Sequence, residues 1–459
     1  LENSKAKMID TSKSIIAKFG GTSVKSAEEM KLVYNILQKQ KEKKIVVLSA
    51  CGGITNLIID CLQMSLEGKQ SESELLLTKF ENRHREIIED LILDNELKSV
   101  ANLKADVSFE ILRNNSKGTL LLRDLPKNVE DKCVAQGELL SSMIFYYYCL
   151  SKNLKSHLLD IRSIITKREF DHSKIEVMVN SDNLKIALAE FDTNDLIITQ
   201  GFICNDEYGN TSNLGRGGSD WTASILGGEL NVKEIQIWTD VNGILTTDPR
   251  LISTSETIKS ISFKDVQALS FYGAKVLHPE TIKPAIDNNI PIVILNTFNP
   301  DSTGTKISNI NIESEKHIKA VVLNDDCTLY EFELNLNQNI KNNQANDILN
   351  RFNSLHAIIY LFELRDNKLL VVIKKNEMLQ KYFQMDTFGT SFKVILVDLI
   401  ACIGVNNNVF NESDKILSFL SAKDCLIFNY NIETKILFSL FMPEKGNDFY
   451  NFIHQFTIE

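Results

Sequence analysis

Lys18 ends an apolar alternating run in "IIAKFGGTSV" (residues 15–24), and Gly20, Gly21, Thr22 and Ser23 follow at once. After a strand, paired glycines let backbone N–H groups approach an anion, and a lysine adds a point charge suited to phosphate. The spacing is not that of the G-x-x-x-x-G-K-[ST] loop, and a tight strand-to-helix turn with a solvent-reaching lysine would use the same residues. "VVLSACGGITNL" (46–57) repeats the theme with Ser49, Gly52, Gly53 and Thr55. In "CVAQGELLSSMIF", Glu138 opens an apolar helix, where a first-turn acid complements the helix dipole with or without a ligand. In "TSNLGRGGSDWTAS", Arg216 sits between Gly215 and Gly217, ahead of the capping residues Ser219 and Asp220. A guanidinium on so open a loop suits bidentate recognition of a carboxylate. "IWTDVNGILTTDPRLI" adds Thr239, Asp240, Asp248 and Arg250, and "FYGAKVLHPETI" adds Lys275. Taken singly these are turn residues. Together they supply lysines, arginines, glycines and acids able to orient a substrate or Mg²⁺, the inventory of phosphoryl transfer, whose catalysis is mainly positioning and charge neutralisation.

The elements that must hold these residues are short apolar runs, "SIIAKFG", "KIVVLSA", "LIITQGF", "EIQIWTD" and "IPIVIL", alternating with helical patterns such as "AEEMKLVYNILQKQ". Buried, mostly parallel strands with helical crossovers give an α/β/α layered domain, whose ligands bind beyond the carboxyl ends of the strands. Three of these runs end in Lys18, Ser49 and Asp240. Near residue 310 the character changes. Six of seven prolines lie before that point, and Asn-rich connectors with short alternating strands lie after it. A boundary is expected within residues 307–317. The later order of strands and helices fits two small ferredoxin-like units, yet the strand count falls one short of two complete βαββαβ modules.

The chain has 459 residues and a net charge of −10, which argues against a nucleic-acid partner. Eight cysteines without a C-x-x-C pair or zinc-like spacing read as reduced thiols, and no metal-ligand set is expected. The longest apolar stretches, "MIFYYYCL" and "VILVDLIACIGV", are too short to span a bilayer or carry a charge, so no membrane association and a cytoplasmic location are expected. Residues 1–7 are expected to precede a natural start at Met8.

"KFGGTSV", "VVLSACGGITNL", "GELLS", "TQGFI", "LGRGGSDWTA", "WTDVNGILTTDPR" and "GAKVLHP" occur in the order and approximate spacing found in aspartokinases, which this chain resembles from residue 15 to about 305. Its last third resembles a diverged pair of ACT regulatory domains, chiefly through "VDLIACIGVNNNVFNESDKILSFL". The resemblance implies an amino-acid-kinase-like three-layer α/β/α sandwich over residues 8–308, followed by two ferredoxin-like α+β (ACT) units over 315–459. It implies ATP- and Mg²⁺-dependent phosphorylation of the L-aspartate β-carboxylate to 4-phospho-L-aspartate, which opens lysine, threonine and methionine (diaminopimelate) biosynthesis. Carried over by motif, Lys18, Asp220 and Lys275 would be catalytic. ATP would be held by Lys18, Phe19, Gly20 and Gly21, by Thr239, Asp240, Leu245 and Arg250, and by Lys275 and Val276. Aspartate would be held by Ser49, Thr55 and Glu138 and by Arg216, Gly217, Gly218, Ser219 and Asp220, with Arg216 on a carboxylate and Glu138 and Asp220 at the ammonium.

The chain departs from the family pattern at Asn242, where proline is usual, and at Leu245, where tyrosine is frequent. "LNLNQNIKNNQANDIL" (334–349) offers an Asn-rich loop without glycine where the family has a glycine-containing effector loop. Inhibition by lysine or threonine is therefore expected to be weak or confined to the second module around residues 403–410. A glutamate 5-kinase or acetylglutamate kinase is the alternative enzyme, which "GRGGSDWTA" with paired C-terminal modules disfavours. A non-catalytic amino-acid sensor is disfavoured by the intact set Lys18, Arg216, Asp240 and Lys275. Exposed ACT sheet edges point to a homodimer or larger homo-oligomer.

Overall fold

The computed structural model describes residues 14–40, 42, 44–170, 174–189, 195–310, 317–334, 338–385, 391–406, 409, 413–422 and 425–458. Strand Ile15–Phe19 is buried along its whole length and runs parallel to Lys44–Leu48 on one side and Glu234–Thr239 on the other. Beyond Lys44–Leu48 come Leu196–Gln200 and Ser156–Leu159. Beyond Glu234–Thr239 come Ile292–Asn296, Thr305–Ser308 and Ser260–Ser262, completing eight strands. Pairing is antiparallel only between Ile292–Asn296 and Thr305–Ser308. Such a sheet is covered on both faces, which is why its central strands read as near-continuous apolar runs. Helix Ala27–Lys39 starts at the Ser26 cap and buries Met30, Val33, Ile36 and Leu37, a 3–4 spacing that lays one stripe on the sheet. A four-stranded sheet (Ile165–Phe170, Lys174–Val179, Ile203–Asp206, Thr211–Asn213), which the apolar runs did not reveal, feeds directly into the Arg216 loop.

The chain forms two compact units, Leu1–Ile244 with Lys259–Phe263 and Leu277–Asn311, and Leu245–Ile258 with Lys264–Val276 and Ile312–Glu459. The second unit thus takes in two segments that a single boundary near residue 310 would leave in the first. Hydrogen bonds account for this. Val321 N donates to Thr246 O (2.8 Å), Asn324 Nδ2 donates to Tyr272 O (3.0 Å), and Lys319 pairs with Asp265 (2.8 Å).

Within the second unit lies one six-stranded sheet in the order Ile359–Arg365, Lys368–Lys374, Ala320–Glu333, Phe392–Ile403, Ile436–Phe441, Ile427–Asn431, antiparallel throughout. The missing strand is explained by its two long members. Ala320–Glu333 and Phe392–Ile403 pair along their length with a register shift between Asn324 and Cys327. On one side of the shift they complete a βαββαβ module with helices Gln338–Ser354 and Glu377–Met385. On the other they join Ser413–Ala422, Ile427–Asn431, Ile436–Phe441 and Gly446–Ile458 in a second such layer. Its fourth strand comes from the start of Ala320–Glu333 and not from the chain end. Each long strand serves both modules, and each module has its own apolar core.

The Asn-rich stretch expected as a loop is mostly helix, Gln338–Ser354. Asparagine is a poor helix former, but Ala345, Ile348 and Phe352 bury one stripe against Tyr330 and Phe332, and that packing overrides propensity. Residues 335–337 of that stretch, and 407, 408 and 410 of the second candidate effector segment, lie outside the described residues. Among the described residues no helix is long and apolar enough to cross a membrane.

Candidate active site

The glycines after Lys18 are required by close approach. Gly52 N donates to Gly21 O at 2.8 Å, so the two glycine turns interlock. A Cβ at Gly21 would stand 2.9 Å from the Ala50 carbonyl oxygen. Gly20 N donates to Trp238 O at 3.1 Å, tying the turn to the neighbouring strand. Helix Ile54–Leu66 begins beside this knot after the left-handed Gly53 (φ 84°). Across from it, Gly217 (φ 68°) starts helix Gly218–Leu230, with Asp220 in its first turn. Helix Gln136–Ser151 carries Glu138 in its own first turn. All three helix beginnings line one cleft of about 420 Å³. The dipoles of these helix beginnings favour bound negative charge there.

Lys18 is only 8% exposed, which disfavours the alternative of a turn with a solvent-reaching lysine, and its Nζ lies 2.6 Å from Asp220 Oδ1. Glu138 is fully enclosed. Burial pushes its carboxyl up to about 8, against the opposing hydrogen bond from the Ala50 backbone, and Oε2 has no hydrogen-bond partner among the described residues. Arg216 is exposed at the cleft on its glycine turn. Ser49 Oγ donates to Ser219 Oγ at 2.9 Å, joining the strand end to the Arg216 loop, and Ser141 Oγ holds Ser49 O at 2.7 Å.

The cleft brings together Lys18, Gly21, Ser49, Thr55 and Glu138 with residues 216–220, from both the expected phosphate and substrate groups. Phe19, Gly20, Thr239 and Asp240 belong to the same unit but do not line it. The Phe19 ring stacks on Trp238 in the core (5.6 Å), which leaves only its main chain for a ligand. Thr239 Oγ1 donates to Asp240 Oδ1 (3.2 Å). Asn242, in place of the usual proline, accepts from Asn296 (2.8 Å) and Asn299 (3.3 Å).

Leu245, Arg250, Lys275 and Val276 belong to the second unit. There Arg250 forks onto Asp248 (3.0 and 2.5 Å), which holds the Asp248 carboxyl below its usual range, and Lys275 is exposed. Cleft-lining Ala50, Cys51, Gly215 and Phe202 were not assigned from sequence. Phe202 adopts a left-handed φ of 67°, which nothing in "TQGFI" signals for an aromatic residue. Among the described residues no group of three or more His, Cys, Asp or Glu side chains could hold a metal ion.

Comparison with known proteins gives the arrangement a lineage. The amino acid kinase family matches residues 13–296. Lysine-sensitive aspartokinase 3 of Escherichia coli is 32% identical over 321 residues, 69% of this chain and 68% of that protein. An aspartokinase of Chlamydia pneumoniae is 33% identical over 67% of this chain and 66% of its own length. The crystal structure of E. coli aspartokinase III with aspartate and ADP (R-state) superposes with a TM-score of 0.80 at 25% identity, covering 97% of this chain and all of that one. The same enzyme with lysine and aspartate (T-state) gives 0.74 at 26% identity, covering 98% of this chain and all of that one. The chain therefore belongs to the amino acid kinase family and, within it, to the aspartokinases.

Proposed function

We infer that this chain transfers the γ-phosphoryl group of ATP to the β-carboxylate of L-aspartate, yielding 4-phospho-L-aspartate and ADP. The observation that carries this reading is the union in one cleft of the Lys18–Asp220 pair, Arg216 and Glu138. The relative that superposes best among those described binds aspartate and ADP.

Arg216, on its open turn, would fork onto one substrate carboxylate, and Glu138 would face the ammonium. A carboxyl kept largely neutral by burial gains an opposite charge only when the ammonium arrives, which then favours its ionised form. A β-carboxylate oxygen forms the new P–O bond while the bond to the ADP oxygen breaks. Lys18 neutralises the charge on the moving phosphoryl, and Asp220 holds the lysine in place until the phosphate competes for it. The interlocked backbone of Gly20 and Gly21 would cradle phosphate oxygens.

Thr239 and Asp240, in the same unit, would extend the nucleotide site. Mg²⁺ would supply further charge neutralisation. It commonly binds through phosphates and one or two carboxylates rather than in an all-protein cage.

A coupled assay of ADP release with aspartate, glutamate and N-acetylglutamate tests the reading. Turnover is expected with aspartate, and preference for either other acceptor overturns it. Lysine is the effector to titrate first, given the lysine complex of the E. coli enzyme. Edge strands Ile359–Arg365 and Ile427–Asn431 would serve a homodimer or larger assembly by strand addition. The eight free cysteines fit a reducing, cytoplasmic setting.

A further inference from the structure

Asp131 lies outside the cleft, on helix Lys127–Val134, with its side chain 4% exposed. Its Oδ1 accepts from Asn213 Nδ2 at 2.6 Å and lies 2.9 Å from Lys127 Nζ, while Oδ2 accepts from Ser212 Oγ at 2.8 Å. Asn213 ends strand Thr211–Asn213, and its own Oδ1 accepts from Gly215 N at 3.0 Å. Gly215 (φ 79°) and Gly217 (φ 68°) are both left-handed and bracket Arg216.

A carboxylate can only accept hydrogen bonds, whereas an amide has one donating and one accepting end of nearly the same shape. Asp131 therefore decides which way the Asn213 amide points. With Nδ2 committed to Asp131, Oδ1 must face the Gly215 N–H. If the amide turned over, a donor would meet a donor at the entrance to the glycine turn. Arg216 is exposed, so its direction is set by this backbone and not by packing of its side chain.

We propose that Asp131 is a positioning residue for substrate recognition: acting through Asn213, it fixes the turn of residues 215–217 and so aims the guanidinium of Arg216 into the cleft. This rests on the reading that Arg216 receives a carboxylate of aspartate. Helix Gly218–Leu230 is tied to the turn by Gly218 N, which donates to Gly215 O (3.0 Å). It also has an anchor of its own, with Thr222 Oγ1 donating to Gly218 O (3.0 Å) and accepting from Phe202 N (3.2 Å). A fault in the turn should therefore reach Arg216 before Asp220.

The test is Asp131→Asn, Asn213→Ala and the exchange pair Asp131→Asn/Asn213→Asp, each in the full chain. In Asp131→Asn the amide at 213 is free to reverse, and the KM for aspartate should rise about tenfold, as for one lost charge-assisted bond. The kcat and the KM for ATP should stay within about twofold, the signature of lost ground-state binding. In the exchange pair the amide at 131 donates to the carboxylate at 213, whose other oxygen takes the Gly215 N–H, and the KM should return to within about threefold of wild type. Amide exchange of residues 215–217, measured without substrate, should speed up in Asp131→Asn and recover in the exchange pair.

Asn213→Ala leaves Asp131 with Lys127 and Ser212, so it should reproduce the higher KM even if Asp131→Asn fails to fold. An unchanged KM for aspartate in Asn213→Ala, or an exchange pair no better than Asp131→Asn, overturns the proposal. Should the chain not phosphorylate aspartate at all, the exchange rates still read the relay, which separates the two failures.

Discussion

Each unit contains a close, enclosed lysine–aspartate pair: Lys18 with Asp220 at 2.6 Å in the parallel-sheet unit, and Lys319 with Asp265 at 2.8 Å in the antiparallel one. Both members of the first pair line the cleft, and Asp220 keeps 19% of its side chain exposed. In the second pair the exposures are 9% and 11%, and the Lys319 stem lies so close to Gly404 that a Cβ there would fall 2.6 Å from Cδ. In the proposed reaction an arriving anion opens the first pair, since both of its members face the cleft. The second is packed shut and joins the Lys264–Val276 segment to the sheet. The same interaction thus borders a cleft in one place and is enclosed by packing in the other, and the surroundings decide which role is open to it.

The largest effect that this contrast predicts is on Lys18→Ala. If Lys18 offsets charge as the phosphoryl moves, kcat should drop by about 10²–10³ or more in steady-state assays. Unfolding should change little, because Asp220 can rehydrate in the cleft. A variant keeping more than about a third of wild-type kcat removes Lys18 from the phosphoryl path.

Glu138 sharpens the contrast from the side of stability. Its folded carboxyl titrates near 8, above the ordinary 4.5 of an unfolded chain, so the folded state holds the extra proton between those values. Its contribution to stability is full below pH 4.5 and is lost as pH rises through about 8. Between pH 5 and 8 the loss is about 3–4 kcal/mol by linkage. Glu138→Gln should flatten this slope in denaturation curves taken across that range while raising the KM for aspartate. A slope identical to wild type would show that burial does not control this group.

The cleft was legible in the sequence where a charge adjoins glycines: Lys18 before Gly20 and Gly21, and Arg216 between Gly215 and Gly217. Each run alone also suits a plain turn, and only their recurrence along the chain points to a site. What escaped depends on distant packing. Whether Lys18 reaches solvent was open because sequence does not show that Asp220 closes over it. The Asn-rich stretch looked like a loop because propensity was weighed without the Tyr330 and Phe332 surface that its apolar stripe covers. Seven short strands were counted because a 14-residue strand with a register shift, Ala320–Glu333, reads as two, and Phe392–Ile403 reads as belonging to one module only. Arg250 and Lys275 were grouped with the first unit by their order in the chain, whereas the hydrogen bonds of Thr246 and Tyr272 draw their segments into the second.

Lys319→Ala probes the cohesive pair. Removing this partner from the enclosed Asp265 should cost about 3 kcal/mol, the upper end for a hydrogen bond to a charged group. Both tryptophans, Trp221 and Trp238, belong to the first unit, so fluorescence reports that unit while far-ultraviolet circular dichroism reports both. The dichroism transition should move to lower denaturant and separate from the fluorescence transition, with kcat at saturating substrates preserved. Coincident, unmoved transitions would make the pair as dispensable as a surface bridge.

Arg216→Lys is the smallest effect that the comparison of the two pairs predicts and the finest test of the cleft. Lysine keeps the charge and most of the length, so the anion-attracting field of the three helix beginnings persists, and so does Lys18. What is lost is the planar fork, which grips two carboxylate oxygens at once, whereas an ammonium meets them as a point charge. The change should therefore appear as weaker binding of aspartate, about 2 kcal/mol in KM, the scale of a hydrogen bond to a charged group. The kcat should be nearly intact if, as proposed, the phosphoryl path does not run through this residue. The left-handed glycines on either side remain, so the variant should fold as wild type does, and amide exchange of residues 215–217 should be unaltered, unlike in Asp131→Asn. If the KM for ATP rises and that for aspartate does not, Arg216 belongs to the nucleotide, and the cleft's two ends have been assigned the wrong way round.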